Sequence, residues 1–146
     1  MHIDAHGKLC ALQTKGNFSS HIVLRGGHES PNYDPASIQI ALEKLGRHQL
    51  QERLMVDCSH GNCQKMGDKQ EEVFLSVLEQ IEKGNNKIMG LMLESHLESG
   101  NQLLTEDLSS LKYAVSITDP CVDWETTEAL VWEAHLMFER CTALIL

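Results

Sequence analysis

The sequence has no surplus of positive charge: 12 Lys and Arg stand against 21 Asp and Glu, a formal charge of −9 with the eight His neutral. Without clustered Lys and Arg to displace counterions from phosphates, most nucleic-acid readings are excluded, and a polyanionic membrane surface is disfavoured likewise. Long apolar runs are missing too. The longest, Ile88 to Leu93, falls far short of the roughly 20 residues that cross a bilayer. Met1-His2-Ile3-Asp4-Ala5-His6 shows no basic-then-apolar signal pattern, so a cytoplasmic protein is expected. Cys10, Cys58, Cys63, Cys121 and Cys141 are odd in number and lack framework spacing, which argues for reduced thiols. No C-x-x-C pair completes a structural zinc site around Cys58, His60 and Cys63. No G-x-G-x-x-G or Walker pattern surrounds Gly26-Gly27, which reads as a tight turn.

What is present is an ordinary globular balance, 42% hydrophobic and 23% charged. His21 to Arg25 reads as a buried strand stopped by the glycine pair, and Ala36 to Leu50 as a helix with Ile38, Ala41, Leu42 and Leu45 on one face. Asp34 before Pro35 supplies its cap. A second strand, Leu54 to Val56, leads to a helix over Glu71 to Lys83 carrying Val73, Val77, Leu78 and Ile81. A third, Lys87 to Leu93, is followed by a long polar loop from Glu98 to Leu111. A fourth, Ala114 to Ile117, precedes a helix from Trp124 to Cys141 with Leu130, Ala134 and Phe138 on one face and Asp123 as cap. Trp124, Trp132, Met89 and Met92 are expected to be packing residues.

Strands buried on both faces and alternating with helices imply an α/β fold with a parallel sheet, because parallel connections need crossovers. Residues 1–20 form a separate short strand (Lys8 to Gln13) and turn leading in, and 21–146 hold four strand-helix units.

Arg25, His60, Glu94 and Asp119 stand at the four strand ends. Singly, each is an ordinary polar residue beside a loop. Together they sit where parallel α/β folds bind ligands, at the carboxyl ends of the strands. His60, Glu94 and Asp119 are a nitrogen-and-oxygen set suited to a divalent cation with open positions, and Arg25 offers a planar fork for a carboxylate or phosphate. His96, two residues after Glu94, leaves the third ligand open. Ser59 beside His60 is not a triad, since adjacent side chains on a strand point to opposite faces.

Four segments, in order, resemble the type I 3-deoxy-D-arabino-heptulosonate 7-phosphate synthases. They are Ile22-Val23-Leu24-Arg25-Gly26-Gly27 with Pro31-Asn32-Tyr33; Val56-Asp57-Cys58-Ser59-His60-Gly61-Asn62; Met92-Leu93-Glu94-Ser95-His96-Leu97 with Gly100-Asn101-Gln102; and Ser116-Ile117-Thr118-Asp119-Pro120-Cys121 with Trp124-Glu125. The resemblance runs from about residue 6 to the last helix and matches the carboxyl-terminal half of the family's (β/α)8 TIM barrel. It implies condensation of phosphoenolpyruvate with erythrose 4-phosphate, the first step of the shikimate pathway to aromatic amino acids. It also implies a divalent metal (Mn, Fe, Zn or Co) held by His60, Glu94 and Asp119, three of four family ligands. Arg25 matches an arginine that binds phosphoenolpyruvate, and Lys65, matching the lysine after the Ser-His segment, joins it as a substrate-binding candidate.

The family's cysteine ligand, its Lys-Pro-Arg-Thr segment and further phosphate-binding Arg and Lys residues have no counterpart here. Cys58, Cys63 and Cys121 fall in the later motifs and do not replace that ligand. Cys63 and Gln64 stand where a serine pair is usual, and the end Thr142-Ala143-Leu144-Ile145-Leu146 is more apolar than the family pattern. The expectation is therefore a fragment of such a synthase, needing self-association or a separate amino-terminal half. The competing readings are a non-catalytic half-barrel interaction protein and a small self-contained doubly wound domain.

Overall fold

Asp34 and Pro35 start the first helix as their chemistry dictates: the Asp34 carboxylate accepts from the Ala36 and Ser37 amides, both at 3.0 Å. These hydrogen bonds, with Ser37 the larger contributor, hold its carboxyl below the ordinary 3.8. The resulting helix, α1 (Pro35–Arg47), buries Ile38, Leu42 and Leu45. The computed structural model describes residues 1–17 and 19–143, so the last three residues of the apolar end, 144–146, lie outside the described residues.

Before α1 stand β1 (His2–Ile3) and β2 (Leu9–Cys10), an antiparallel pair, and β3 (Ile22–Leu24). The short leading strand is thus one arm of a hairpin, turned where Asp4 Oδ1 accepts from the His6 and Lys8 amides. After α1 come β4 (Leu54–Asp57), α2 (Lys69–Glu82), β5 (Ile88–Met92), a 3₁₀ turn at Leu108–Ser110, and α3 (Trp124–Ala143). The main sheet is parallel in the order β3-β4-β5, with Leu24 opposite Val56 and Asp57 opposite Met92. Its crossovers run through α1 and α2, and Leu54, Val56 and Cys58 pack with Val73, Phe74, Val77 and Leu78 in one core.

Three expectations need correction. Only one face of the sheet is covered: Leu54 and Val56 are fully buried, whereas Val23, Met89 and Met92 are exposed. Met92, two residues past the Gly90 that pairs with Met55, shares the face of Val23, and the register shift between Leu54 and Met55 leaves Met89 as an extra residue in β5, which breaks strict alternation and exposes Met89 as well. Second, Trp124 and Trp132 are exposed. The inward stripe of α3 runs through Leu130, Ala134, Met137 and Cys141, and Trp132, two residues past Leu130, lies about 200° around the helix from it. Phe138 is half exposed because Met137 takes the core position.

Third, Ala114 to Ile117 do not extend the ladder. The 116–122 segment makes single bridges instead, Ser95 with Val122, Gly100 with Cys121 and Asn101 with Ser116. Its backbone is satisfied by the preceding loop: the Gln102 amide donates to Ser116 O at 2.8 Å, and the Gln102 side chain holds Lys112 O, Val115 O and the Lys112 amide.

Candidate metal and anion site

β4 ends at Asp57, and the chain then leaves strand geometry. His60 has φ of +53°, a left-handed conformation that turns its ring back beside Ser59. The expectation that the Ser59 and His60 side chains point to opposite faces is therefore wrong, and the two side chains meet. Asp57, nearly fully buried, organises this turn. Its Oδ1 accepts from the Ser59 amide at 2.9 Å and the Ser59 hydroxyl at 2.6 Å, while Oδ2 lies 2.8 Å from His60 Nδ1. Ser59 Oγ is also 2.6 Å from Nδ1. With the Nδ1 proton directed at Asp57, the Nε2 lone pair is presented on the other side of the ring. Carboxylate-buttressed histidines hold metals in this way.

Nε2 faces Glu94 Oε1 at 3.3 Å and Asp119 Oδ2 at 3.5 Å. One ligand atom from each of the three residues lies within 4.8 Å of the others, a spacing that a single divalent ion can bridge. Two carboxylates drawn together repel unless positive charge lies between them. Glu94 Oε2 is moreover buried with no hydrogen-bond partner among the described residues, a cost that a cation beside the carboxylate would remove. The donor set thus fits a divalent metal. His96 is not part of the group: its Nδ1 accepts from the Leu97 amide at 2.9 Å.

Arg25 and Lys65, both exposed, line with His60, Asp119 and the loop from Gly26 to Pro31 a cavity of about 820 Å³. Neither basic side chain has an ion-pair partner among the described residues, which leaves both charges available to an anion.

Side-chain amides that sequence reasoning missed hold the strand ends together. Asn62 donates from Nδ2 to Leu24 O and Asp57 O and accepts from the Asn32 amide, and Asn32 Oδ1 accepts from the Gly26 amide at 2.8 Å. Gly26 itself packs on Gly61: a Cβ there would stand 2.3 Å from Gly61 C. The glycine pair is needed for this close approach between backbones. Gln70 carries a legible signal, a polar residue in register with the buried Val73, Phe74 and Val77 of α2.

Burial pushes the Cys58 thiol up to about 12, with the Asp57 carboxylate and then Cys63 adding to the effect. Burial likewise raises Cys63 and Cys121, and all five cysteines are unpaired.

Comparison with known proteins matches this arrangement to one family. Residues 2–131 match the model of the DAHP synthetase I family. The chain is similar to the Tyr-sensitive phospho-2-dehydro-3-deoxyheptonate aldolase of Enterobacter agglomerans, 45% identical over 133 residues that cover 91% of this chain and 62% of that protein. The Tyr-sensitive enzyme of the same name from Escherichia coli (strain K12) is also 45% identical, with 91% of this chain covering 37% of it. Among solved structures, the phospho-2-dehydro-3-deoxyheptonate aldolase of Francisella tularensis SCHU S4 superposes with a TM-score of 0.79 at 39% identity, covering 85% of this chain and 36% of that one. The chain therefore spans between about a third and two thirds of the length of these relatives.

Proposed function

The chain belongs to the DAHP synthetase I family, and from that premise we propose that it carries the metal-ligating half of a site condensing phosphoenolpyruvate with erythrose 4-phosphate to 3-deoxy-D-arabino-heptulosonate 7-phosphate and phosphate. The observation that carries the proposal is the approach of His60 Nε2 to both Glu94 and Asp119, beside the unpaired Arg25 and Lys65. In this reading His60, Glu94 and Asp119 are the metal ligands, and Mn²⁺, Fe²⁺, Zn²⁺ and Co²⁺ all suit such a donor set. When bound, the ion supplies Lewis acidity toward an aldehyde oxygen. Asp57 fixes the His60 ring and its tautomer. Arg25 grips the carboxylate or phosphate of phosphoenolpyruvate through its planar fork, and Lys65 adds a point charge to the same cavity. The unpaired cysteines suit a cytoplasmic setting, and among the described residues no helix is long and apolar enough to cross a membrane.

Two phosphorylated substrates need more cations than Arg25 and Lys65 provide. Val23, Met89 and Met92, uncovered on the sheet, also expose apolar surface that a closed barrel encloses. Both observations favour catalysis in association with a complementary amino-terminal half. The residues form one partial-barrel domain over 1–146 in this reading, with 1–20 leading into 21–146. Mixing the chain with the amino-terminal half of the Escherichia coli relative tests this. Phosphate release should require both polypeptides, both substrates and a divalent metal. Release by the chain alone would remove the need for a partner half, and no release from the assembled pair would overturn the catalytic reading in favour of a non-catalytic half-barrel.

A further inference from the structure

Gln70 is fully buried on the first turn of α2, where a polar side chain is costly unless its hydrogen bonds are met. They are met three times. Oε1 accepts from the Glu94 amide at 2.9 Å, and Nε2 donates to Glu94 O and Pro120 O, each at 3.2 Å. One donor amide and two acceptor carbonyls fix which end of the carboxamide is which. All three partners belong to Glu94 or to the residue after Asp119.

This is where the ladder lapses. β5 ends at Met92, and beyond it Glu94 and the 116–122 segment are joined by the Val122 amide donating to Glu94 O at 3.0 Å and the single bridge between Ser95 and Val122. Glu94 and Asp119 are like charges, so without a fixed link their segments tend to separate. We infer that Gln70 is a positioning residue that sets the distance between the Glu94 and Asp119 carboxylates by clamping both backbones to α2. The inference rests on the metal reading of the site. A shift of about 0.5 Å is enough to spoil a metal constellation, and the partners that orient metal ligands are typically worth about 10- to 100-fold in affinity.

The test compares the wild-type chain with Gln70→Met, which keeps length and removes every hydrogen bond, and with Gln70→Glu, which keeps length and, as a carboxylate, removes both donors. Val73→Ala, a buried truncation three residues along the same helix whose side chain makes no hydrogen bond to either segment, is the control. Mn²⁺ affinity is read from the free-ion EPR signal, folding from circular dichroism and melting, and local order from amide exchange at Glu94 and Val122. Both Gln70 variants should retain helical dichroism, bind Mn²⁺ about 10- to 100-fold more weakly and exchange faster at Val122. Val73→Ala should melt earlier and keep wild-type affinity. Wild-type affinity and wild-type Val122 protection in the Gln70 variants would overturn the inference, as would an equal loss of affinity in Val73→Ala. Gln70→Glu decides the matter if Gln70→Met fails to fold. If the wild-type chain binds no Mn²⁺, the metal reading falls, and exchange at Val122 alone decides the role of Gln70: faster exchange in the variants supports the clamp, and unchanged exchange contradicts it.

Discussion

The two ends of the candidate site are held in different ways. Around His60 the backbone itself is fixed: β3 and β4 are hydrogen-bonded in register, the Gly61 amide donates to Arg25 O at 3.0 Å, and Gly26 lies against Gly61. Around Asp119 there is no ladder, and single bridges with the side chains of Gln70 and Gln102 do the joining. Exposure follows the same gradient, with side chains 22% exposed at His60, 32% at Glu94 and 46% at Asp119. Backbone pairing places a ligand wherever a sheet continues, and amide side chains take over where it stops.

Two glycines give the sharpest way to break this comparison. Gly26 and Gly100 have nearly the same left-handed backbone, φ of +87° and +85°. A Cβ at Gly26 would overlap the backbone of Gly61 and Asn62, whereas one at Gly100 meets nothing within 4 Å. Gly26→Ala is therefore expected to cost about 3 kcal/mol or more, strain and overlap combined. Gly100→Ala should cost only the conformational part, about 1–2 kcal/mol. Equal denaturation midpoints for the two variants would show that the close approach at His60 is not a source of stability.

Next in size is Asp57→Ala. It leaves the Ser59 amide and His60 Nδ1 without their acceptor in a buried turn, and a loss of about 2–3 kcal/mol is expected by urea denaturation. Mn²⁺ affinity should fall about 10- to 100-fold with it, because the ring is no longer aimed. An unchanged affinity would mean that His60 is positioned by something else.

The smallest effect concerns the helix starts, outside both ends of the site. The Asp34 and Asp123 carboxyls are held below their ordinary 3.8 by their capping hydrogen bonds, chiefly to Ser37 and Thr126. A depressed folded-state value means that the stabilisation is present above 3.8 and is lost as pH falls through the lowered folded value. Asp34→Ala should thus cost about 1 kcal/mol at neutral pH, and its melting temperature should converge on the wild-type value at acid pH. A difference that persists at low pH would assign the effect to something other than the charged cap.

Much of the scaffold was readable because it repeats with the period of its elements. The spacing of Ile38, Leu42 and Leu45, with Asp34-Pro35 before it, locates α1, and Val73, Val77 and Leu78 locate α2. Arg25, His60, Glu94 and Asp119 were visible as polar residues at the stops of apolar runs. What periodicity does not encode is what the loops do. The fourth strand was expected from the apolar residues of Ala114 to Ile117, but the 100–102 loop supplies the hydrogen bonds that a neighbouring strand would have given. The contact between Ser59 and His60 depends on a single left-handed residue that no pattern announces. Asn62 acts through backbone groups distant in sequence and Asp57 through a turn that no pattern announces, so a linear reading shows only that they are polar, whereas Gln70 is legible as a polar residue on the buried stripe of α2.

In the proposed function His60, Glu94 and Asp119 hold one divalent ion between the two differently built ends of the site. Anomalous diffraction from crystals of the chain grown with Mn²⁺ tests it most directly. A single peak is expected about 2.0–2.2 Å from His60 Nε2 and from one carboxylate oxygen each of Glu94 and Asp119, with Nδ1 still on Asp57. A peak at other residues, or none in crystals whose His60, Glu94 and Asp119 keep the geometry described, would contradict it.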